Sequence, residues 1–534
     1  MKRIFYLSIL AVMSASMASA QNQLDVFKLS QNKLSGTARS VSMGGAFGAL
    51  GGDLSGVAIN PAGIAVYQGS EFVATMNFKN VNTETNSVNG YKSTDNKFNF
   101  NFDNIGYIAS VSLDNYDIPK INFGFSYNRL MSYDRKYKVD PGMQGSSLTD
   151  YIAYKSYGVS KNDLSSSINS NNEFNPPVGT PWLSALAYQS FLINPGVIDA
   201  NGKQTYVSVL SGNESVSPFL NVEEKGGIDK YDFTAGATIS NKLNIGVSLS
   251  VTNIDYTTYT DYSEGFEQGT NNGFALQNYL NSEGSGFQFN LGLIYKPVNA
   301  IRIGLAYQSP TWYSMTDHYS ASIIDNIPAY ASSTNYTPGS TETGLAYADY
   351  NMRTPDRWTF SLAGVIGQTA IISADYVLTN YKNMHMSAVN GSASDLAWFD
   401  TQERYIKEDF KAASTLRLGA ELRFTPQFSA RVGYMWQQSP LQSDIKSGNV
   451  EVIPSGTLVN YTLDGDANYF TYGLGYRFSK SFYTDVAFVM KSQKADVYPY
   501  SNIYANDGSV AIASFPSELK TNTFSGLLTL GFRF

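Results

Sequence analysis

The chain has 534 residues, 43% hydrophobic, 14% aromatic and only 15% charged, with 45 glycines and no cysteine. Soluble domains carry about 25% charged residues, so three or four of them, which the length alone would allow at roughly 150 residues each, do not fit. The absence of cysteine excludes a disulfide framework, a thiolate zinc site and an acylated lipoprotein cysteine. Two histidines, His318 and His385, exclude a multi-histidine metal site and argue against a Ser/His/Asp triad. A formal charge of −7 with dispersed Lys and Arg repels nucleic acid. No catalytic residue, metal or cofactor is expected, and the chain does not read as an enzyme. High aromatic and glycine content with slightly negative mean hydropathy fits a membrane β-barrel, where lipid-facing and lumen-facing residues alternate and cancel in any average.

Residues Met1 to Ala20 read as a cleavable signal peptide. Lys2 and Arg3 open it, Ile4 to Met13 form the apolar stretch, and Ala18-Ser19-Ala20 is an A-x-A site before Gln21. Cleavage moves the formal charge from −7 to −9. No later stretch of about 18 apolar residues offers a transmembrane helix.

Residues 21–68 do not alternate. A short helix is expected around Leu24 to Leu34, with Leu24, Phe27 and Leu34 on one face. A small-residue run from Ser42 to Asp53 follows, including Gly44 and Gly45, then Ala58 to Ile64. Irregular apolar backbone is tolerated at membrane depth only inside a barrel, so 21–68 is expected to be a plug. The run contains neither GxxxxGK[ST] nor GxGxxG, which removes a phosphate-loop reading. Within it, Asn60-Pro61-Ala62 should make a stiff corner. Pro61 fixes its own φ and pushes Asn60 to an extended conformation, while the Asn60 amide can cap the turn at Ala62-Gly63.

Residues 69–534 alternate in segments. Strands are expected near 70–79, 98–112, 121–134, 228–240, 243–260, 286–296, 300–318, 355–366, 369–382, 412–424, 428–438, 467–478, 482–492 and 522–534. Tight turns such as Asn241-Lys242 and Thr425-Pro426-Gln427 alternate with long polar gaps at 135–227, 261–285, 319–354, 383–411, 439–466 and 493–521. Short turns on one side and long loops on the other are the pattern of a bacterial outer-membrane barrel. The expected fold is therefore all-β: a 14-stranded antiparallel transmembrane barrel with a small, partly helical N-terminal plug. In the last strand Phe524, Leu528, Leu530, Phe532 and Phe534 share the lipid parity, while Arg533 falls on the lumen parity. Arg417, Glu421 and Arg423 likewise belong in a polar lumen. Tyr127, Tyr133, Trp312, Tyr313, Trp358, Trp436 and Tyr472 sit at strand ends, where interfacial aromatics are expected. In the longest gap Trp182 to Ile193 form an apolar cluster that is either a ligand platform or a helix packing the loop onto itself. Leu24, Phe27, Trp182 and Phe191 are the candidate ligand-binding residues.

The run Thr37-Ala38-Arg39-Ser40-Val41-Ser42-Met43-Gly44-Gly45-Ala46-Phe47, then Asp53 and Asn60-Pro61-Ala62-Gly63, closely resembles the N-terminal hatch of the FadL/TodX outer-membrane transporters. Its Asn-Pro-Ala motif is matched by Asn60, Pro61 and Ala62. Thr354 to Trp358, Leu416 to Glu421, Ala430 to Tyr434 and Ser439-Pro440 also look like the family. The resemblance implies passive uptake of hydrophobic small molecules such as long-chain fatty acids or hydrocarbons. Ligand would be captured by the loops, held in a lumen pocket, released by a shift of the hatch at Gly44, Gly45 and Asn60 to Ala62, and discharged sideways near a kink in the third strand. It also implies a monomer surrounded by outer-membrane lipid and inserted by the outer-membrane assembly machinery, which the terminal Phe534 suits. The alternatives are a general or selective porin, which needs an open polar lumen, and a surface adhesin or binding protein using the long loops.

Overall fold

The computed structural model describes residues 21–534 apart from 114–116, 211–213, 269–270, 331–335, 368, 390–392, 454 and 506. The signal peptide expected at Met1 to Ala20 lies outside the described residues. Fourteen antiparallel wall strands form the barrel: β1 Glu71–Ser87, β2 Lys92–Ser112, β3 Lys120–Ser132, β4 Val216–Ile239, β5 Leu243–Phe266, β6 Gly273–Val298, β7 Ile301–Gln308 with Trp312–Asn326, β8 Ala346–Arg353 with Arg357–Ile366, β9 Ala370–Asn380, β10 Ala412–Arg423, β11 Phe428–Gln437, β12 Tyr461–Arg477, β13 Phe482–Tyr498 and β14 Ser517–Arg533. β1 pairs with β14 from Glu71↔Arg533 to Ser87↔Ser517, which closes the wall.

The alternation decides which way each strand faces. Ser525, Leu527 and Thr529 of β14 are buried, while Phe524 and Phe532 stay exposed. In β10, Leu416, Leu418 and Leu422 face out and Glu421 is buried. One expectation fails on the same rule. Trp312 and Tyr313 are consecutive, so they cannot both be interfacial. Trp312 is outward, whereas Tyr313, like Tyr133, is buried inside.

β7 and β8 are each interrupted at a proline. Pro310 and Pro355 lack the N–H a ladder needs, so the strands break at one level and are bridged by Thr354 N donating to Thr311 O at 3.1 Å and Thr311 N donating to Thr354 Oγ1 at 2.9 Å. Above the breaks, strand pairing continues far past the expected ends. Residues 261–285 are mostly strand, because β5 runs to Phe266 and β6 starts at Gly273. Polar side chains alternate there too, and nothing in the sequence marks where lipid stops and water begins.

The long segment 135–227 is a folded cap, not an open loop. It carries an inner strand, Arg135–Val139, helices Leu148–Lys155, Lys161–Ser165 and Trp182–Gln189, and a hairpin, Ile193–Ile198 with Gln204–Ser208, before β4 begins at Val216. Leu148, Tyr151, Ile152, Leu186 and Leu192 make its core with Tyr262, Leu276, Tyr319 and Tyr500 of the wall extensions and neighbouring loop. Buried Glu264 of β5 fastens it, accepting from Ser147 Oγ, Tyr262 Oη and, at 2.7 Å, Leu148 N.

Candidate functional site

Residues 21–68 lie inside the barrel as α1 Gln23–Leu29, α2 Ala38–Ser42, α3 Leu54–Ile59 and a 3-10 turn Pro61–Val66. α1 starts at a capping box: Asn22 Oδ1 accepts from Leu24 N at 2.8 Å, and Asp25 Oδ2 accepts from Asn22 N at 3.0 Å. The helix is shorter than the sequence predicts. It stops at Ser30, so Leu34 leaves the face of Leu24 and Phe27 and packs instead beside Ala38, Val41 and Met435.

A ring of wall glycines seats the hatch. A Cβ on Gly419 of β10 would stand 2.5 Å from Met43 O, and one on Gly304 of β7 2.5 Å from Gly48 O. On Gly433 of β11 it would collide with Met43 and Gly44, and on Gly246 and Gly292 of β5 and β6 with Pro61 and Asn60. The hatch answers in kind. Gly44 and Gly45 have φ of 65° and 73°, a left-handed backbone that glycine adopts without strain. A Cβ on Gly44 would sit 2.7 Å from Tyr434 O. Two backbones therefore meet where side chains normally intervene.

Asn60 and Pro61 form the corner as the sequence predicts. Asn60 is extended (φ −137°, ψ 107°) and caps the 3-10 turn. Its Oδ1 accepts from Ala62 N at 3.1 Å, and its Nδ2 donates to Gly48 O at 2.6 Å and to Leu293 O of β6 at 3.2 Å. One side chain thus ties two hatch segments to the wall. Arg39 adds an ionic anchor, 2.9 Å from Glu421, which also takes Arg431 at 2.6 Å. Asp53 accepts from Thr37 Oγ1 at 2.8 Å. Burial pushes the Asp53 carboxyl up, against the opposing pull of Arg39 and the Thr37 hydroxyl.

Above the rest of the hatch, α1 fills an apolar chamber of the barrel. Leu24, Val26, Phe27 and Leu29 of α1 are buried there among Tyr256, Tyr313, Tyr350 and five methionines, Met131, Met315, Met352, Met384 and Met386. The Phe27 ring lies 5.5 Å from Tyr381 and 5.3 Å from Phe410. Methionine is flexible and polarizable, so such a lining adapts to different apolar shapes. The structure brings Leu24 and Phe27 together in this chamber. Trp182 packs against the cap's separate core, and Phe191 lies on the cap's surface. Trp182 packs against Phe174 at 5.4 Å, while Phe191 is more exposed and meets Tyr336 at 5.6 Å.

The wall has a notch beside the chamber. β2 pairs with β1 along its length, but with β3 only between Asn104↔Asn128 and Ser112↔Lys120. Residues 92–103 of β2 therefore have a strand partner on one side only. The other edge departs because β3 shifts register against β4 between Arg129 and Met131 and continues as the inner strand Arg135–Val139. Side chains bridge the gap: Asn99 Nδ2 donates to Asp134, and Lys97 Nζ lies 3.2 Å from Glu223. Phe98, Phe100 and Phe102 form its outward lip. The sequence carries no direct signal for this notch, since β2 and β3 alternate normally throughout.

Comparison with known proteins decides the family. The model of the outer membrane protein transport protein family (OMPP1/FadL/TodX) matches residues 234–522, more than half of the chain. The chain belongs to this family, and it is an outer-membrane β-barrel. It is 23% identical over 308 residues to a long-chain fatty acid transport protein of Escherichia coli, covering 57% of this chain and 59% of that one. It is 24% identical over 252 residues to a 47 kDa outer membrane protein of Pasteurella multocida, covering 47% and 50%. Both matches span less than two thirds of the relatives' length. In fold it is similar to a crystal structure of a Pseudomonas aeruginosa FadL homologue, with TM-score 0.52 and 12% identity over 94% of this chain and 99% of that one. A deltaS2 mutant of the TodX monoaromatic hydrocarbon channel gives 0.50 and 13%, over 93% and 99%. By name, the Escherichia coli relative is a transport protein and TodX a channel.

Proposed function

We propose that this protein carries hydrophobic small molecules, long-chain fatty acids or similar lipids and hydrocarbons, passively across the outer membrane. The observation that supports this best is that the straight route is filled while the wall beside the chamber is interrupted. The hatch sits on wall glycines with no room for an added methyl group, whereas the notch between β2 and β3 is held by side chains alone. Ligand enters past Trp182 and Phe191 of the cap and replaces Leu24 and Phe27 in the methionine-lined chamber. It then leaves sideways into the membrane as the Asn60-Pro61-Ala62 corner and the Gly44-Gly45 turn shift. A porin needs an open lumen, and residues 21–68 occupy it. The protein works as a monomer in outer-membrane lipid after insertion by the assembly machinery.

The test uses the cysteine-free background. Asn99→Cys with Asp134→Cys places two thiols across the notch, and a short bifunctional thiol reagent should close it. Oleate uptake by cells is expected to fall at least fivefold after cross-linking, with either single variant unaffected by the reagent. Full uptake through a cross-linked notch would rule out sideways exit.

A further inference from the structure

On the lumen side of the notch lies a cavity of about 100 Å³ where hatch and wall meet. Most cations around it have carboxylate partners. Glu224 takes Lys28 at 3.0 Å and Arg135 at 2.7 Å, and Asp229 takes Arg129 at 2.8 Å. Three lysines differ. Lys33 of the hatch donates to Ser132 O at 3.3 Å, Lys79 of β1 to Ser132 Oγ at 2.6 Å, and Lys491 of β13 to Gln493 Oε1 at 2.7 Å. Among the described residues none of the three has an ion pair, and Lys491 is only 8% exposed. The nearby carboxylates are held by neutral amides, Asp103 by Asn77 at 2.9 Å and Asp464 by Gln31 at 3.0 Å.

Independent of charge, Tyr469 lines the same cavity, 2% exposed, with a buried hydroxyl that has no hydrogen-bond partner. Burying ammonium groups without a paired carboxylate, and a hydroxyl without any partner, is costly. Burial, with the like charges of Lys491, Lys79 and Arg135, holds the Lys33 ammonium well below the usual lysine range. Among otherwise mixed lining, Leu34, Val489 and Leu527 lie side by side as an apolar patch, next to Thr521, Thr523 and Ser525.

We propose that Lys33, Lys79 and Lys491, with the Tyr469 hydroxyl, form one anion site that takes the charged head of a singly anionic amphiphile, its tail against Leu34, Val489 and Leu527. The site rests on the transport reading above and sharpens it, because a neutral hydrocarbon leaves the three ammoniums unanswered. Six cations line the cavity against the four carboxylates of Asp103, Asp134, Glu224 and Asp464, and Asp229 answers a fifth at Arg129, so one positive charge is left for a single negative head to balance. Because Lys33 belongs to the hatch and the other two to the wall, the bound head also links hatch to wall. Binding therefore tightens residues 31–35 only when the ligand is charged.

The full mature chain in nanodiscs tests this by calorimetry with oleate, oleyl alcohol and butyrate as probes. Wild type is expected to bind oleate about tenfold tighter than oleyl alcohol. The triple variant Lys33→Gln, Lys79→Gln, Lys491→Gln should reduce that ratio to within about twofold while leaving the alcohol's affinity unchanged. If the triple variant does not reach the heat-resistant folded form, Lys33→Gln alone, outside the strand ladder, must lower the ratio about threefold. Oleate, and not oleyl alcohol, should slow amide exchange over residues 31–35. An unchanged tenfold preference in the variants overturns the site, as does butyrate binding as tightly as oleate. If wild type binds both amphiphiles equally, the site falls and the transport reading stands; if it binds neither, both fall.

Discussion

Asn60 engages both ends of its amide while only 1% exposed. Replacing it with alanine leaves Gly48 O, Leu293 O and Ala62 N without that side chain, and a buried polar group left unpaired costs about 1–3 kcal/mol. That is enough to loosen a hatch held by a handful of such contacts, and too local to unfold fourteen paired strands. In the double variant Asn60→Ala with Pro61→Ala, amide exchange over residues 48–66 should accelerate at least tenfold. Heat-resistant migration on gels should match wild type, and uptake of a long-chain substrate by whole cells should fall. Wild-type uptake would reduce the corner to simple punctuation of the chain. Asn60→Asp should loosen the hatch more than alanine does, because it keeps the cap on Ala62 but turns a donor into a carboxylate facing two carbonyls.

At the level of elements, hatch and wall fit because glycines on separate strands fall at one height. Gly433→Ala should drive Met43 and Gly44 out of their seat. Gly364→Ala on β8, where nothing lies within 4 Å, should do nothing. Single-channel recording in planar bilayers checks this: frequent openings are expected for Gly433→Ala, and closed traces for Gly364→Ala and wild type. Closed traces from Gly433→Ala would mean that the wall, not the hatch, yields. The strands themselves were legible in the sequence, because a two-residue period in lipid leaves a plain trace, as at Phe524 to Phe534. The corner at Asn60-Pro61-Ala62 was legible because its geometry is local. The glycine seat was not, since Gly419 and Gly433 meet Met43 and Gly44 only once the register of β10 and β11 is known. Lys33, Lys79 and Lys491 escaped for the same reason, sitting on three segments that only closure of the barrel brings together. Helix α1 ends on a tightened turn, the Ser30 N–H shared between Val26 O and Phe27 O, a terminus that the spacing of Leu24, Phe27 and Leu34 does not reveal.

For the whole molecule, the proposed route makes the cap the first surface that a ligand meets. It packs on wall extensions rather than lying loose, and its helix Trp182–Gln189 puts Leu183, Ala185 and Leu186 into a buried core. Trp182 and Phe191 stand at different depths in it. Trp182 is wedged between Phe174 and, at 6.0 Å, Tyr319 of β7. Truncating a fully buried aromatic costs about 3–5 kcal/mol when the site cannot collapse; Trp182 is half-buried against that core and should lose part of this, so Trp182→Ser should open the cap to trypsin as well as weaken capture. Phe191 is 38% exposed, has φ of 57° and, among the described residues, makes its one ring contact edge-on to Tyr336. Serine there changes little in the fold and removes the most accessible apolar ring of the cluster. Phe191→Ser is therefore expected to lower oleate binding about threefold with trypsin resistance and heat-resistant migration unchanged. That combination separates capture from packing, because a residue that merely holds the cap together cannot lose affinity while the cap stays closed. Unaltered oleate affinity in Phe191→Ser would show that ligand enters elsewhere, and that this cluster serves only to fold the cap onto the barrel mouth.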